Sequence, residues 1–150
     1  MKNLFFLFVL LGTLLACSQK EADPEVLAAK FNSGKFPQKW QLVSMSGNIA
    51  NVPPQTGSDM LWQEFYLFNA DNTFSKTRER NGVTTAISGK FSLGNIGKEN
   101  YVELIYAADN EIIGNCYATA TEELIIKSDI QLVSTWNACD GPGLVYKRVE

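Results

Sequence analysis

Apolar and polar positions alternate along most of the chain from Lys39 onward. The pattern is plainest in VTTAISGKFSL, where Val83, Thr85, Ile87, Gly89, Phe91 and Leu93 share one side and Thr84, Ala86, Ser88, Lys90 and Ser92 the other. A period of two is the signature of a half-buried strand. Comparable runs are KWQLVSM (39–45), WQEFYLF (62–68), TFSKTRER (73–80), YVELIYA (101–107), IIGNCYAT (112–119), ELIIK (123–127), IQLVSTW (130–136) and LVYKRV (144–149). Between them lie NADN, NG, GNIGKEN, ADNE, TE, SD and NACDGPG, rich in the Asn, Asp and Gly that close tight hairpins.

Eight or nine short strands without a helical crossover predict an all-β fold, an antiparallel up-and-down barrel whose closure removes exposed edges. Gly89, in mid-strand, marks a bend or bulge. One short N-terminal helix is expected ahead of the barrel. Asp23 and Pro24 suit its N-cap and first turn, Val26, Leu27, Ala29 and Phe31 form its apolar face, and Gly34 with Pro37 ends it.

The first residues follow a different pattern. Leu4 to Leu15 is nearly all apolar, broken by Gly12 and Thr13 and preceded by Lys2. A membrane-spanning helix needs ~20 apolar residues, so this run fits a secretory signal better than a span. It ends in LLAC, which resembles the lipobox of bacterial lipoproteins. That resemblance implies cleavage before Cys17, removal of residues 1–16 and acylation of the Cys17 thiol; two or more acyl chains would hold the protein on a bilayer. Residues 17–23 then serve as anchor and tether, the six residues SQKEAD spanning at most ~20 Å, and residues 24–150 as the barrel domain. Ser18 after the cysteine resembles outer-membrane sorting, and QKE resembles the surface-export signals of Bacteroidota lipoproteins.

Composition narrows the rest. The chain has 150 residues, a formal charge of −3 and no histidine; it is long enough for one domain with a core, and too acidic for phosphate-backbone binding. Nucleic acid is excluded as a partner. With Cys17 assigned to lipid, Cys116 and Cys139 remain as an even pair in an oxidising compartment, where a disulfide is the default. Lack of histidine removes Ser-His-Asp and Cys-His catalysis and histidine-ligated metals. Glu122 and Glu123 are adjacent, hence on opposite faces of a strand, and cannot act together. The reading is of a protein that is not an enzyme and carries no metal or cofactor.

KWQLVSMSG, FNADNTFSKTRERNG and CDGPGLVYKR together resemble the lipocalin-like domains of secreted bacterial lipoproteins, over most of the stretch from Trp40 to Arg148. The resemblance implies a barrel closed at one end by Trp40 beneath Arg148. One position departs from the lipocalin pattern: Gln38 stands where a glycine is expected two residues before the tryptophan.

An eight-stranded barrel has room for side chains or one small ligand. What lines it depends on the hairpin at Asn81-Gly82. With a two-residue turn, Arg80 faces Val83, Arg78 faces Thr85 and Lys76 faces Ile87, so that three cations share the apolar side and call for an anion such as a fatty-acid carboxylate. With a three-residue loop and a bulge at Gly82, the cations point to water. Desolvation favours the second register. Phe65, Leu67, Ile87, Phe91 and Tyr101 are the expected lining of a pocket.

The sequence thus predicts an outer-membrane, lipid-anchored barrel that binds a small hydrophobic or amphipathic ligand. The alternative is a protein-binding module, a lysozyme inhibitor or envelope-assembly partner, acting through exposed loops such as NACDGPG and IANVPPQTGSDM.

Overall fold

The computed structural model describes residues 28–31, 34–47, 49 and 51–149. The signal segment, Cys17 and the tether lie outside the described residues, as does part of the expected N-terminal helix; residues 28–31 are helical. The rest is an all-β, antiparallel up-and-down barrel. Its strands are β1 (Gln38–Ser46), β2 (Gln63–Phe68), β3 (Thr73–Arg80), β4 (Val83–Ile96), β5 (Glu99–Tyr106), β6 (Thr121–Ser128), β7 (Gln131–Ser134) and β8 (Gly143–Val149). Each pairs with its sequence neighbour, and β1 pairs with β8 to close the cylinder.

Turn chemistry sets the register where it matters most. Asn81 and Gly82 both adopt left-handed backbone angles (φ 54° and 77°) and form a two-residue turn. Arg80 therefore pairs with Val83, Arg78 with Thr85 and Lys76 with Ile87. This corrects the register that desolvation favoured: Lys76 and Arg78 enter the barrel. At the β2–β3 turn, the Asp71 carboxylate accepts hydrogen bonds from the Thr73 N–H (3.1 Å) and hydroxyl (2.6 Å), which lower its pKa.

β4 is bent. Its first half pairs with β3, from Val83 to Lys90, and its second with β5, from Gly89 to Ile96. At the handover a Cβ on residue 89 would overlap the Ile105 carbonyl, so glycine lets β5 approach.

IIGNCYAT, expected as a ninth strand, is not one. Residues 107–120 form a loop over one end of the barrel, in which Ile112 and Ile113 are buried. Their apolar character serves a plug. The Cys116–Cys139 disulfide ties this loop to the β7–β8 connection, with a sequence separation of 23.

The other end is shut by aromatic packing. Phe31, from the helical turn, lies 5.7 Å from Trp40, 5.4 Å from Phe68 and 6.1 Å from Phe91, ring centre to ring centre. Gln38 supports this arrangement from the position where the lipocalin pattern has glycine. Its amide donates to the Phe31 carbonyl at 2.8 Å and accepts from the Trp40 indole N–H at 3.2 Å. Arg148 stands opposite Trp40 in the β1–β8 ladder, but its guanidinium donates to the Lys35 carbonyl (3.4 Å). The cations that lie over rings among the described residues are instead Lys39, Lys76, Arg78 and Arg80.

Candidate functional site

Alternation on β2 sends Glu64, Tyr66 and Phe68 inward, and on β3 it sends Phe74, Lys76 and Arg78 inward. β5 contributes Val102, Leu104 and Tyr106, β6 Glu122, Leu124 and Ile126, and β8 Leu144 and Tyr146. Aromatic and aliphatic members of this set fill the closed half. Charged and phenolic members meet in the half nearer the end covered by residues 107–120.

Lys76 is the centre of that cluster. Its ammonium donates to both Glu122 oxygens (3.0 and 3.1 Å) and lies 3.4 Å from Glu64 Oε1, with all three side chains inaccessible to water. Arg78 Nε donates to Glu64 Oε2 at 2.5 Å, and its Nη2 donates to the Ile112 carbonyl of the covering loop at 3.1 Å. The Tyr106 and Tyr146 hydroxyls donate to Glu122 and Glu64 respectively, each at 2.5 Å. Two cations and two carboxylates thus neutralise one another inside the barrel. Lys76 needs no outside anion, contrary to what an unpartnered interior cation would require.

The phenols respond to this setting. Burial raises the pKa of Tyr66, Tyr106 and Tyr146 well above the ordinary tyrosine value, and the neighbouring Glu122 and Glu64 carboxylates raise it further by disfavouring a third negative charge.

Among the described residues the axis of the barrel is filled by side chains. Trp40, Tyr66, Phe68, Lys76, Leu104, Leu124, Leu132 and Tyr146 have no exposed surface at all. A void wide enough for water would leave its walls accessible, so these residues pack against one another.

Space opens at the mouth. A cavity of about 380 Å³ is lined by Arg78, Arg80, Asn81, Val83, Thr85, Glu111 and Ile112. The β3–β4 turn supplies one wall and the disulfide-tied loop the other. Arg78 and Arg80 also lie over the Trp62 ring, 4.3 and 5.6 Å from its centre, and the buried Trp62 indole N–H has no hydrogen-bond partner. Arg80 is exposed, whereas Arg78 is 6% exposed and already bonded to Glu64. The cavity offers one committed guanidinium and one free to turn toward a ligand.

Of the residues expected to line a pocket, Lys76 is buried in the ion cluster, and Arg78 and Arg80 reach the mouth. Ile87 and Phe91 point inward and join the core. Phe65, Leu67 and Tyr101 do not line the interior: they alternate with buried Glu64, Tyr66, Phe68 and Val102 and so face outward, Phe65 beneath the Lys39 ammonium at 4.4 Å. Glu64 and Glu122, the counter-charges, were missed. Their signal was a lone acid on the same alternating side as Tyr66 and Phe68, and as Leu124 and Ile126.

Among the described residues no three Asp, Glu or Cys side chains converge on a possible metal position, and no helix is long and apolar enough to cross a membrane. No family model, curated protein or solved structure matches the chain.

Proposed function

We propose that the protein is a non-catalytic binding protein of the bacterial envelope, lipid-anchored through Cys17 on the outer membrane. In this reading it resembles the lipocalin-like lipoproteins and takes a small amphipathic molecule with an anionic head at the mouth of its barrel. The observation that carries the reading is the cavity at Arg78 and Arg80. Its volume of about 380 Å³ falls in the range of small-molecule sites, and Arg80 offers a planar donor pair suited to a carboxylate or phosphate. Val83 and Ile112 provide apolar contacts and Thr85 a hydroxyl. The ligand would bind above the ion cluster and leave it intact.

The test uses decanoate and the uncharged decanol as probes, followed by tryptophan fluorescence because Trp62 lies beneath both arginines. Decanoate binds more tightly than decanol, and Arg80→Ala removes the difference. Equal binding of the two probes would refute an anion site. The anchor is tested separately: Cys17→Ala shifts the protein from the membrane to the soluble fraction.

A second reading, a module that binds another protein, is supported by the filled interior together with exposed apolar residues on the loops. Ile49, Val52 and Leu61 are 73%, 55% and 58% exposed, and Tyr117 on the tied loop is 84% exposed. It predicts capture of a partner that loop substitutions abolish and Arg80→Ala does not.

A further inference from the structure

The barrel is closed, but its ladders do not run the full length of every strand, and one stretch left open lies at the start of β4. β4 pairs with β3 from Val83 onward, whereas its pairing with β5 starts only at Gly89 opposite Tyr106. The last contact on that side is the Ala107 N–H donating to the Ser88 carbonyl at 3.2 Å. Beyond it the chain turns away into the covering loop. In an antiparallel strand the backbone groups of alternate residues point to the same edge. Ala86 and Thr84 therefore direct their N–H and C=O groups, like those of Ser88, away from β3 and toward an edge without a strand on it. Both residues are exposed.

Natural sheets blunt such edges with charges, prolines, bulges or a covering segment. Val83–Ile87 has none of the first three: the sequence is VTTAI, rich in β-branched residues that favour extended pairing. The mouth cavity opens on its inner side, with Val83 and Thr85 on one wall and Glu111 and Ile112 on the other. Arg78 and Arg80 line the same cavity.

We infer that the upper edge of β4 docks an extended segment of another polypeptide, which pairs with the backbone of Thr84 and Ala86 and places an acidic side chain in the cavity beside Arg80. The mode is strand addition: main-chain hydrogen bonds supply affinity and a pocket for an alternate side chain supplies selectivity. Arg80 sets the partner's chemistry: Arg78 is already paired with Glu64, whereas Arg80 is exposed on the cavity wall and offers its guanidinium to an acidic side chain. The inference shares the mouth cavity with the small-ligand reading but stands on the open edge, which a small ligand does not use.

The probe is a capped hexapeptide alternating valine and threonine, with one glutamate at an interior position; the control has lysine there instead. The glutamate peptide is expected to shift the amide resonances of Thr84 and Ala86, show cross-strand nuclear Overhauser contacts to them, and bind about tenfold more tightly than the lysine peptide. Ala86→Pro removes an edge N–H without touching the ladder to β3, and should weaken peptide binding by about tenfold or more while decanoate binding persists. Thr84→Pro follows the same logic should Ala86→Pro not fold, and the amide shifts of the unsubstituted protein need neither. Equal peptide affinity in the folded proline variant, or no response at Thr84 and Ala86, would overturn the inference. So would concentration-dependent self-association that Ala86→Pro abolishes, since the edge would then serve a second copy of this chain. Retained decanoate binding alongside any of these results leaves the small-ligand reading standing.

Discussion

Lys76 and Glu122 meet 3.0 Å apart in the middle of the barrel with neither side chain exposed. They come from β3 and β6, which are not neighbours in the sheet, so the pair bridges the interior. Burying either charge alone is strongly unfavourable, and a partner with full hydrogen bonding offsets that. Lys76→Met leaves Glu122 and Glu64 without their shared cation and is expected to lower stability by about 3–5 kcal/mol. Lys76→Met combined with Glu122→Leu should cost less than Lys76→Met alone. Urea denaturation of the single and double variants gives the comparison.

The buried phenols make the fold sensitive to alkali. Tyr66, Tyr106 and Tyr146 hold their protons more tightly when folded than unfolded. Their contribution is complete below the ordinary tyrosine pKa of about 10. As pH rises past that value the unfolded chain releases protons that the folded chain retains, so stability falls toward the raised folded value. The urea midpoint should drop between about pH 9 and about pH 11, with a shallower slope in Tyr146→Phe. Absorbance of these phenolates should appear together with unfolding, not before it.

How far the fold could be read in advance follows from which residues carry local signals. Alternation in β4 and the Asn81-Gly82 pair identify strands and a hairpin without help from the rest of the chain. Antiparallel order follows from the absence of helical crossovers, and closure from the removal of exposed edges. The register at Lys76 has no such local signal. Its desolvation is offset by Glu64 and Glu122, which lie 12 and 46 positions away, and no local pattern links them. Phe65 and Leu67, expected to line a pocket, lie on the outer side of β2, because both of its sides are apolar enough to be buried. The side with Trp62, Tyr66 and Phe68 carries the larger rings and is the inner one. Ile112 and Ile113 misled in the opposite direction, since a plug over a barrel end and a core strand have the same composition.

The disulfide holds the covering loop in place. Replacing Cys116 and Cys139 with serine releases a loop of separation 23, and the chain-entropy model gives a loss of about 3 kcal/mol. The barrel's far-ultraviolet circular dichroism should persist at room temperature while the urea midpoint falls. Amide exchange should quicken in residues 107–120 before it does in β1 or β8.

Gly89 admits β5 to the bend of β4. Gly89→Ala pushes a methyl group into the Ile105 carbonyl and is expected to destabilise by about 3 kcal/mol, as overpacking of a rigid contact does. Gly97→Ala, where a methyl group meets nothing within 4 Å but the backbone is left-handed at φ 63°, should be milder. Thermal melts of the two variants separate collision from backbone strain.

The central claim is that the interior is solid and that binding is confined to the mouth. Titrating decanoate into isotope-labelled protein while following its nuclear magnetic resonance spectrum tests this directly. The account predicts shifts at Arg80, Val83, Thr85 and Ile112, with Trp40, Phe68 and Phe91 unmoved. Shifts centred on those three aromatic residues, or none at the mouth at saturating decanoate, would contradict it.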